Sequence, residues 1–171
     1  FPIDVFQTGS GTSSNMNANE VIANLASKYS KLTISPNDDV NMSQSSNDVI
    51  PTAIKISAHI DLTKKLIPAL NDLINTFEKK AKSVDGVIKT GRTHLMDAMP
   101  INFSEELFAW SSQLRASSEM IDIISNKFLI LPQGGTAVGS GINAHKQFSR
   151  YFSQEISKLY PGKYKFAASK N

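Results

Sequence analysis

The sequence of residues 103–128 reads FSEELFAWSSQLRASSEMIDIISNKF. Apolar or small residues recur in it at alternating intervals of four and three: Phe103, Leu107, Trp110, Leu114, Ser117, Ile121, Ile124 and Phe128. Because this spacing places the side chains on one face of an α-helix, the stretch predicts a helix that packs along another helix. Asn102 and Glu105 have the spacing of a capping box, so we expect the helix to begin there and to run for roughly 40 Å.

A second apolar stripe with the same spacing comes earlier in the chain and predicts another long helix. Its members are Ile56, Ile60, Thr63, Ile67, Leu70, Ile74 and Phe77. Pro68 lies inside this stripe. Because proline has no N–H to donate and its ring crowds the preceding turn, Pro68 must kink or split the helix.

Two shorter helices complete the predicted secondary structure. One is expected over residues 17–32, with Asn17 and Glu20 as its cap pair, and one over residues 145–160. We find no convincing alternating strand pattern beyond short pieces such as residues 87–89. The chain is therefore predicted to be mainly α, with a core of long bundled helices. Their length, in a chain of 171 residues, suggests that they pack against other subunits.

The composition excludes several classes of protein. With 40% hydrophobic and 19% charged residues, the chain has the composition of a soluble globular protein. It contains no apolar run of the roughly 20 residues that span a bilayer, so a membrane protein is not expected. It has no cysteine, and its three histidines are scattered without the spacing of a metal-binding pair, so we predict chemistry without a metal. Its basic residues are spread singly, which argues against nucleic-acid binding.

Polar, glycine-bearing segments join the predicted helices. The first, QTGSGTSSNMNANE (7–20), has Gly9 and Gly11 for close backbone approach and hydroxyls from Ser10, Thr12, Ser13 and Ser14. The second, SPNDDVNMSQSSND (35–48), places Ser45, Ser46, Asn47 and Asp48 ahead of a helix that carries Pro51 in its first turn. Such donors at helix N-termini suit an anion. Taken alone, each segment is better explained as a turn that only caps a helix, and the anion site remains the alternative.

The third and fourth joining segments differ in character. KTGRTHLMDAMP (89–100) holds His94, the histidine in a polar, non-helical stretch. Histidine can give and take protons near neutral pH, so His94 is a candidate catalytic residue. A lone histidine is more often a structural hydrogen-bonding residue, and we assign that role to His59 and His145. LPQGGTAVGSGIN (131–143) packs four glycines into eight positions. The segment predicts tight turns. Because no lysine or acid lies nearby in the sequence, it does not indicate a particular ligand.

Taken together, the four segments resemble class II fumarases of the fumarase/aspartase superfamily. The matching motifs are GSGTSSNMNANE, NDDVNMSQSSNDVIPTA, GRTHLMDAMP and GGTAVGSGIN. SSND at 45–48 and TH at 93–94 look like fumarase, whereas the aspartate ammonia-lyase branch typically has STND and TQ. The resemblance covers residues 1–170 and the middle two fifths of a family member. Because the sequence begins with Phe1 and not with Met, we expect a central fragment of a longer protein.

The resemblance implies reversible hydration of fumarate to L-malate without metal or organic cofactor. It assigns His94 as the catalytic residue that donates or accepts a proton or orients water. It assigns the substrate-binding residues as Ser10, Gly11, Thr12, Ser45, Ser46, Asn47 and Thr93. A second anion site is implied at Ser35, Pro36, Asn37 and Asp38, although the family usually has histidine where this chain has Ser35.

The resemblance also implies an architecture. Residues 1–44 would end an N-terminal domain, and residues 45–171 would form part of the central helical-bundle domain of a homotetramer whose active sites each draw on three chains. The family's loop GSSxMPxKxN, which carries the serine base, has no match here, so the chain alone is predicted to be inactive. We expect the cytoplasm, or the mitochondrial matrix in a eukaryote. An enzyme like aspartate ammonia-lyase and a noncatalytic helical oligomerisation module remain alternatives.

Overall fold

The structure, a computed structural model, describes residues 1–160 and 164–169. The α-helices and strands follow in chain order as α1 (Thr12–Ser30), α2 (Ser46–Asp61), α3 (Ile67–Ser83), β1 (Ile88–Thr93), β2 (Met96–Asn102), α4 (Phe103–Ser125), β3 (Ile130–Leu131), α5 (Phe148–Lys158) and β4 (Ala167–Ala168). The described residues are thus mainly helical, as predicted. None of their helices combines the length and apolar character needed to cross a membrane.

The chain divides into two compact units, Phe1–Ser57 with Phe128–Asn171, and Ala58–Lys127. The predicted domain boundary between residues 44 and 45 concerns the longer family members and stays a prediction. Positions 161–163, 170 and 171 of the second predicted domain lie outside the described residues.

In the first unit, α1 begins at Thr12 and not at Asn17, so the predicted start is wrong. Gly11 caps the helix with φ 75°, a left-handed conformation that glycine adopts without steric cost. The Asn15 N–H already donates to the Gly11 carbonyl at 3.0 Å, which makes Asn17 an interior residue. Asn17 is buried in the helix, where it cannot act as a cap.

The first unit also contains α2 up to Ser57, α5 and the short parallel pair β3–β4. Pro51 lies inside α2, beyond the first turn where we expected it, so the Asn47 carbonyl loses its usual helical donor. Helix α5 occupies most of the predicted 145–160 segment. Leu131 on β3 and Phe166 beside β4 are buried and supply apolar core to this unit.

In the second unit the α-helical hydrogen bonding is interrupted just before Pro68, as predicted, while the backbone stays helical. A π-helical turn over Leu62–Leu66 intervenes, in which the Ile67 N–H donates to the Leu62 carbonyl. Pro68 then lies in the first turn of α3, so the wider π-helical turn stands where the proline ring, which has no N–H, would otherwise crowd the preceding carbonyls.

Helices α3 and α4 pack side by side in opposite directions. Glu78 pairs with Arg115, and Ser104, at the other end of α4, donates to Asp85 just beyond α3. The predicted cap is confirmed, since the Asn102 side chain accepts from the Ser104 N–H at 3.1 Å. Four serines spaced seven apart along α4 are buried: Ser104, Ser111, Ser118 and Ser125.

The predicted apolar stripe of α4 is only partly covered by α3. Leu107 is 5% exposed, and Trp110, which is 44% exposed, contacts Phe77 edge to face at a ring separation of 5.7 Å. Ile124 remains 54% exposed.

Strands β1 and β2 form an antiparallel hairpin, in which Thr93 pairs with Met96. The expectation of no strand beyond short pieces such as 87–89 is therefore wrong. Residues of both strands are exposed on both faces over most of the hairpin. A strand that buries neither face needs no alternation of apolar and polar residues, so the usual signal is missing.

Candidate active site

The first group of candidate residues precedes helix α1. The hydroxyl oxygens of Thr8 and Ser10 lie 2.9 Å apart, and those of Ser10 and Thr12 lie 3.4 Å apart. Ser10 and Thr12 are exposed. A Cβ atom on Gly11 would lie 2.8 Å from Cγ1 of Ile50, so a glycine is required for α1 to approach α2 at this point.

The second group begins helix α2 with a reciprocal cap. The Asn47 N–H donates to Ser45 Oγ at 3.2 Å, and the Ser45 N–H donates to Asp48 Oδ1 at 3.0 Å. This is the capping-box pattern with aspartate in the place of glutamate. Ser46 Oγ accepts from the Asn15 amide at 3.1 Å. The exposed Asn47 donates through Nδ2 to the Ala137 carbonyl at 2.8 Å.

Asp48 joins this cap to the glycine-rich segment. Its side chain is 2% exposed, and Oδ2 accepts from the N–H groups of both Gly134 and Thr136, each at 2.9 Å. No acid lies near the glycines along the sequence, but the folded chain places Asp48 against them, so the expectation that no acid is nearby is wrong. The capping-box spacing could have indicated the bond to Ser45, but no local pattern indicates partners 86 and 88 residues away.

The glycine-rich segment forms the predicted turn cluster. Gly134 has φ 96°, and a Cβ atom there would lie 2.6 Å from Cβ of Ser149. The Ser43 hydroxyl donates to the Asn143 carbonyl at 2.9 Å and fastens the far end of the segment. A cavity of about 300 Å³ lies beside these turns, with His145 and Lys146 in its wall.

Buried amides between α1 and the segment before α2 were not identified from the sequence. Asn41 Oδ1 accepts from Asn15 Nδ2 at 3.3 Å and from Asn19 Nδ2 at 3.0 Å. Both donors are buried. Their regular spacing within NMNANE (15–20) was the available signal, because a helix that begins at Gly11 turns Asn15 and Asn19 to one face. The first unit thus brings together three of the four joining segments.

In the predicted second anion site, the carboxylates of Asp38 and Asp39 already accept hydrogen bonds from Ser35. Ser35 caps the π-helical turn Pro36–Val40, and its hydroxyl accepts from the Asp38 N–H and donates to Asp38 Oδ2, both at 3.1 Å. The Ser35 N–H donates to Asp39 Oδ2 at 2.7 Å. Asn37, between them, is exposed. An anion would have to displace these carboxylates, and the role of the segment stays a prediction.

Thr93 and His94 lie in the second unit, at the tip of the β1–β2 hairpin. Both are exposed. His94 and Leu95 form the two-residue turn with φ 51° and 63°, the positive values of a type I′ turn, which glycine and asparagine usually occupy. Thr93 also lines a cavity of about 780 Å³ that includes Lys89, Arg92 and Glu106.

The other two histidines have structural contacts, as predicted. His59 is 3% exposed and its Nδ1 lies 2.9 Å from the Ser125 carbonyl oxygen. His145 Nδ1 accepts from the Gln147 N–H at 3.2 Å near the start of α5. Across the described part of the chain, no group of three or more histidine, aspartate or glutamate side chains is placed to hold a metal ion.

Comparison with known proteins identifies the family. The sequence model of the lyase family matches residues 1–170. The chain belongs to the lyase family.

Individual relatives are more specific. A Pseudomonas aeruginosa protein named fumarate hydratase class II 2 is 54% identical over 159 residues, which cover 93% of this lyase chain and 35% of the relative. The crystal structure of class II fumarase from Schistosoma mansoni superposes with a TM-score of 0.83 and 41% identity, over 98% of this chain and 37% of that one. Fumarate lyase:delta crystallin from Brucella melitensis superposes with a TM-score of 0.87, also at 41% identity, over 100% and 38%.

These likenesses confirm the predicted resemblance to class II fumarases and the helical fold of that superfamily. The chain spans about a third of the length of the relatives that it matches. Within that third, the lyase chain supplies polar turns with fixed donors in one unit and an exposed imidazole in the other.

Proposed function

We propose that this chain supplies part of the active site of an enzyme that hydrates fumarate reversibly to L-malate. The observation that carries the proposal is the group of neutral donors fixed at the start of α2, within the SSND motif at 45–48. The names of the relatives, class II fumarate hydratase and class II fumarase, support the substrate. So does the pair Thr93 and His94, which has the fumarase sequence.

The chemistry requires such donors. Removal of a proton from C3 of malate places additional negative charge on a carboxylate that is already an anion. The enzyme must therefore stabilise a charge that develops in the transition state. Hydroxyls, amides and N–H groups that are already oriented do this without reorganisation, and the positive end of the α2 dipole adds to their effect.

Each candidate residue has a proposed task. Ser10, Gly11 and Thr12, together with Ser45, Ser46, Asn47 and Thr93, bind substrate carboxylate oxygens. His94 holds or transfers a proton, or orients the water that adds to the double bond, and its exposed position on a hairpin tip suits contact with a substrate. The anion site at Ser35, Pro36, Asn37 and Asp38 belongs to the same proposal, as a secondary subsite.

The proposal includes an assembly of four copies in the cytoplasm or the mitochondrial matrix, with residues 1–44 ending one domain and residues 45–171 contributing to a central helical domain. Exposed apolar side chains support the assembly: Ile123 is 66% exposed and Ile124 is 54% exposed on α4. A second copy would remove this surface from water.

The test is an assay of the complete protein with fumarate and water, and separately with fumarate and ammonia. We expect malate and no aspartate. Thr12→Val removes one hydroxyl at nearly constant shape and should lower kcat by about 10²–10³-fold. His94→Asn should lower it at least as far, whereas His145→Asn should leave it unchanged. Aspartate formation would favour an ammonia-lyase, and an unchanged kcat in both His94 and Thr12 variants would remove the active-site assignment.

A further inference from the structure

Asp48 has contacts that a helix cap alone does not need. A capping box uses one carboxylate oxygen, and Oδ1 serves it by accepting from the Ser45 N–H at 3.0 Å. Oδ2 accepts two further N–H groups, from Gly134 and Thr136. Burial of a carboxylate is costly unless its oxygens are hydrogen-bonded. None of the ion pairs among the described residues includes Asp48, so backbone donors alone satisfy it there.

The second oxygen fixes the position of one particular carbonyl. Thr136 has φ 57°, and its N–H is tied to Asp48 at 2.9 Å. The next residue is Ala137, whose carbonyl accepts from Asn47 Nδ2 at 2.8 Å. Asn47 is in turn the residue directly before Asp48. The four residues therefore form a closed ring of contacts in which the buried carboxylate holds the turn and the turn holds the exposed amide.

We propose that Asp48 is a positioning residue for Asn47, and that it acts through the glycine-rich turn without touching the substrate. This inference rests on the proposed function, in which Asn47 binds a substrate carboxylate. With Nδ2 held by Ala137, the plane of the Asn47 amide is fixed before substrate arrives. A donor that is oriented in advance stabilises developing charge more than one that must first turn toward it.

The carboxylate is specifically required for this task. An asparagine at position 48 has one acceptor oxygen in place of two, and its NH₂ group would face either the Ser45 N–H or those of Gly134 and Thr136. Donors that face donors do not bond. Asp48→Asn therefore releases either the cap or the turn at nearly constant volume, and Asp48→Glu retains the charge but displaces both oxygens.

The test is a double-mutant cycle in the complete enzyme. Asp48→Asn should lower kcat for fumarate hydration by about 10²-fold, the effect of a displacement near 1 Å in a catalytic group, and should change KM by less than about threefold. In an Asn47→Ala background, Asp48→Asn should have almost no further effect. Independent, multiplicative losses would overturn the proposal. If Asp48→Asn does not assemble, Asp48→Glu enters the same cycle with the same criterion.

Ser43→Ala is the matched control. It removes a hydrogen bond of similar length between the same two segments, from Ser43 to the Asn143 carbonyl at 2.9 Å, but at the end remote from Ala137. We expect kcat to be unchanged in this variant. An equal loss in Ser43→Ala and Asp48→Asn would show that general loosening of the segment, and not placement of Asn47, lowers the rate.

A structural measurement separates this inference from the proposed function. If the wild-type protein forms no malate, the proposed function fails, and amide hydrogen exchange still decides the role of Asp48. Exchange at residues 134–137 should be faster in Asp48→Asn than in Ser43→Ala, and a crystal structure of Asp48→Asn should show the contact from Asn47 to Ala137 broken. If the new NH₂ group in Asp48→Asn faces the Ser45 N–H and the turn keeps its acceptor, the same structure is determined for Asp48→Ala, which removes both oxygens. An intact contact in a variant whose Gly134 and Thr136 N–H groups have lost their side-chain acceptor overturns the proposal whatever the reaction.

Discussion

The turns of the first unit and the hairpin tip of the second carry candidate active-site residues in opposite ways. At the start of α2, each candidate is held by named partners: Ser45 by Asp48 and Asn47, Ser46 by Asn15, and Asn47 by Ala137. At the hairpin tip, Thr93 and His94 are exposed on a tight turn. The first region orients its hydrogen-bond donors before any substrate binds. The second presents an exposed imidazole that no hydrogen bond among the described residues holds in place.

The difference follows the chemistry that we propose for each group. Hydrogen-bond donors that stabilise a developing charge lose effect when they must reorient, so they benefit from a rigid setting. A group that exchanges protons must meet both the substrate and water. The comparison predicts that substitutions in the turns disturb stability strongly, and that substitutions at the hairpin tip disturb it little.

The largest effect is expected from Gly134→Ala. The backbone there has φ 96°, and the new Cβ would lie 2.6 Å from Cβ of Ser149. Backbone strain and overpacking together should lower the free energy of unfolding by about 2–5 kcal/mol, as measured by urea denaturation of the complete protein. Gly139→Ala is the control: φ is 87° but nothing lies within 4 Å, so only the strain of about 1–2 kcal/mol should appear. Equal losses would show that close packing at Gly134 is unimportant.

A smaller loss is expected from Asn41→Ala in the same region. It removes the oxygen that accepts from Asn15 at 3.3 Å and from Asn19 at 3.0 Å, and both donors are buried. A buried donor that loses an acceptor costs about 1–3 kcal/mol, and Asn15 keeps its bond to Ser46 Oγ, so the loss falls mainly on Asn19. Asn24→Ala, at an exposed position of the same α1 helix, should stay within about 0.5 kcal/mol of the wild type. A neutral Asn41→Ala would mean that water replaces the lost oxygen and that the amide network is not rigid.

Sequence reasoning succeeded where the structural cause is local. Pro68 cannot continue the α-helical hydrogen bonding and Asn102 begins a helix, and both conclusions need only neighbouring residues. It failed at the hairpin, because β1 and β2 bury neither face, and at α1, because the start depends on the left-handed φ of Gly11.

In the candidate site, the motifs identified the donors but not what holds them. Asp48 finds its partners 86 and 88 residues away, a distance at which only the folded chain defines the contact. The four glycines indicated tight turns, and nothing in their spacing indicated which acid the turns would enclose.

The smallest effect, and one of opposite sign, is expected at the hairpin tip from Leu95→Gly. Leu95 is 96% exposed and has φ 63°, so its side chain gains little by burial while its backbone bears a left-handed conformation. Glycine removes that strain but has more freedom to lose on folding, and the difference should stabilise the protein by about 0.5–1 kcal/mol. Leu159→Gly is the control, because Leu159 is 71% exposed at φ −67° and should lose stability instead. If Leu95→Gly also destabilises the complete protein, the tip is covered there, and the contrast with the buried turns holds only for the chain by itself.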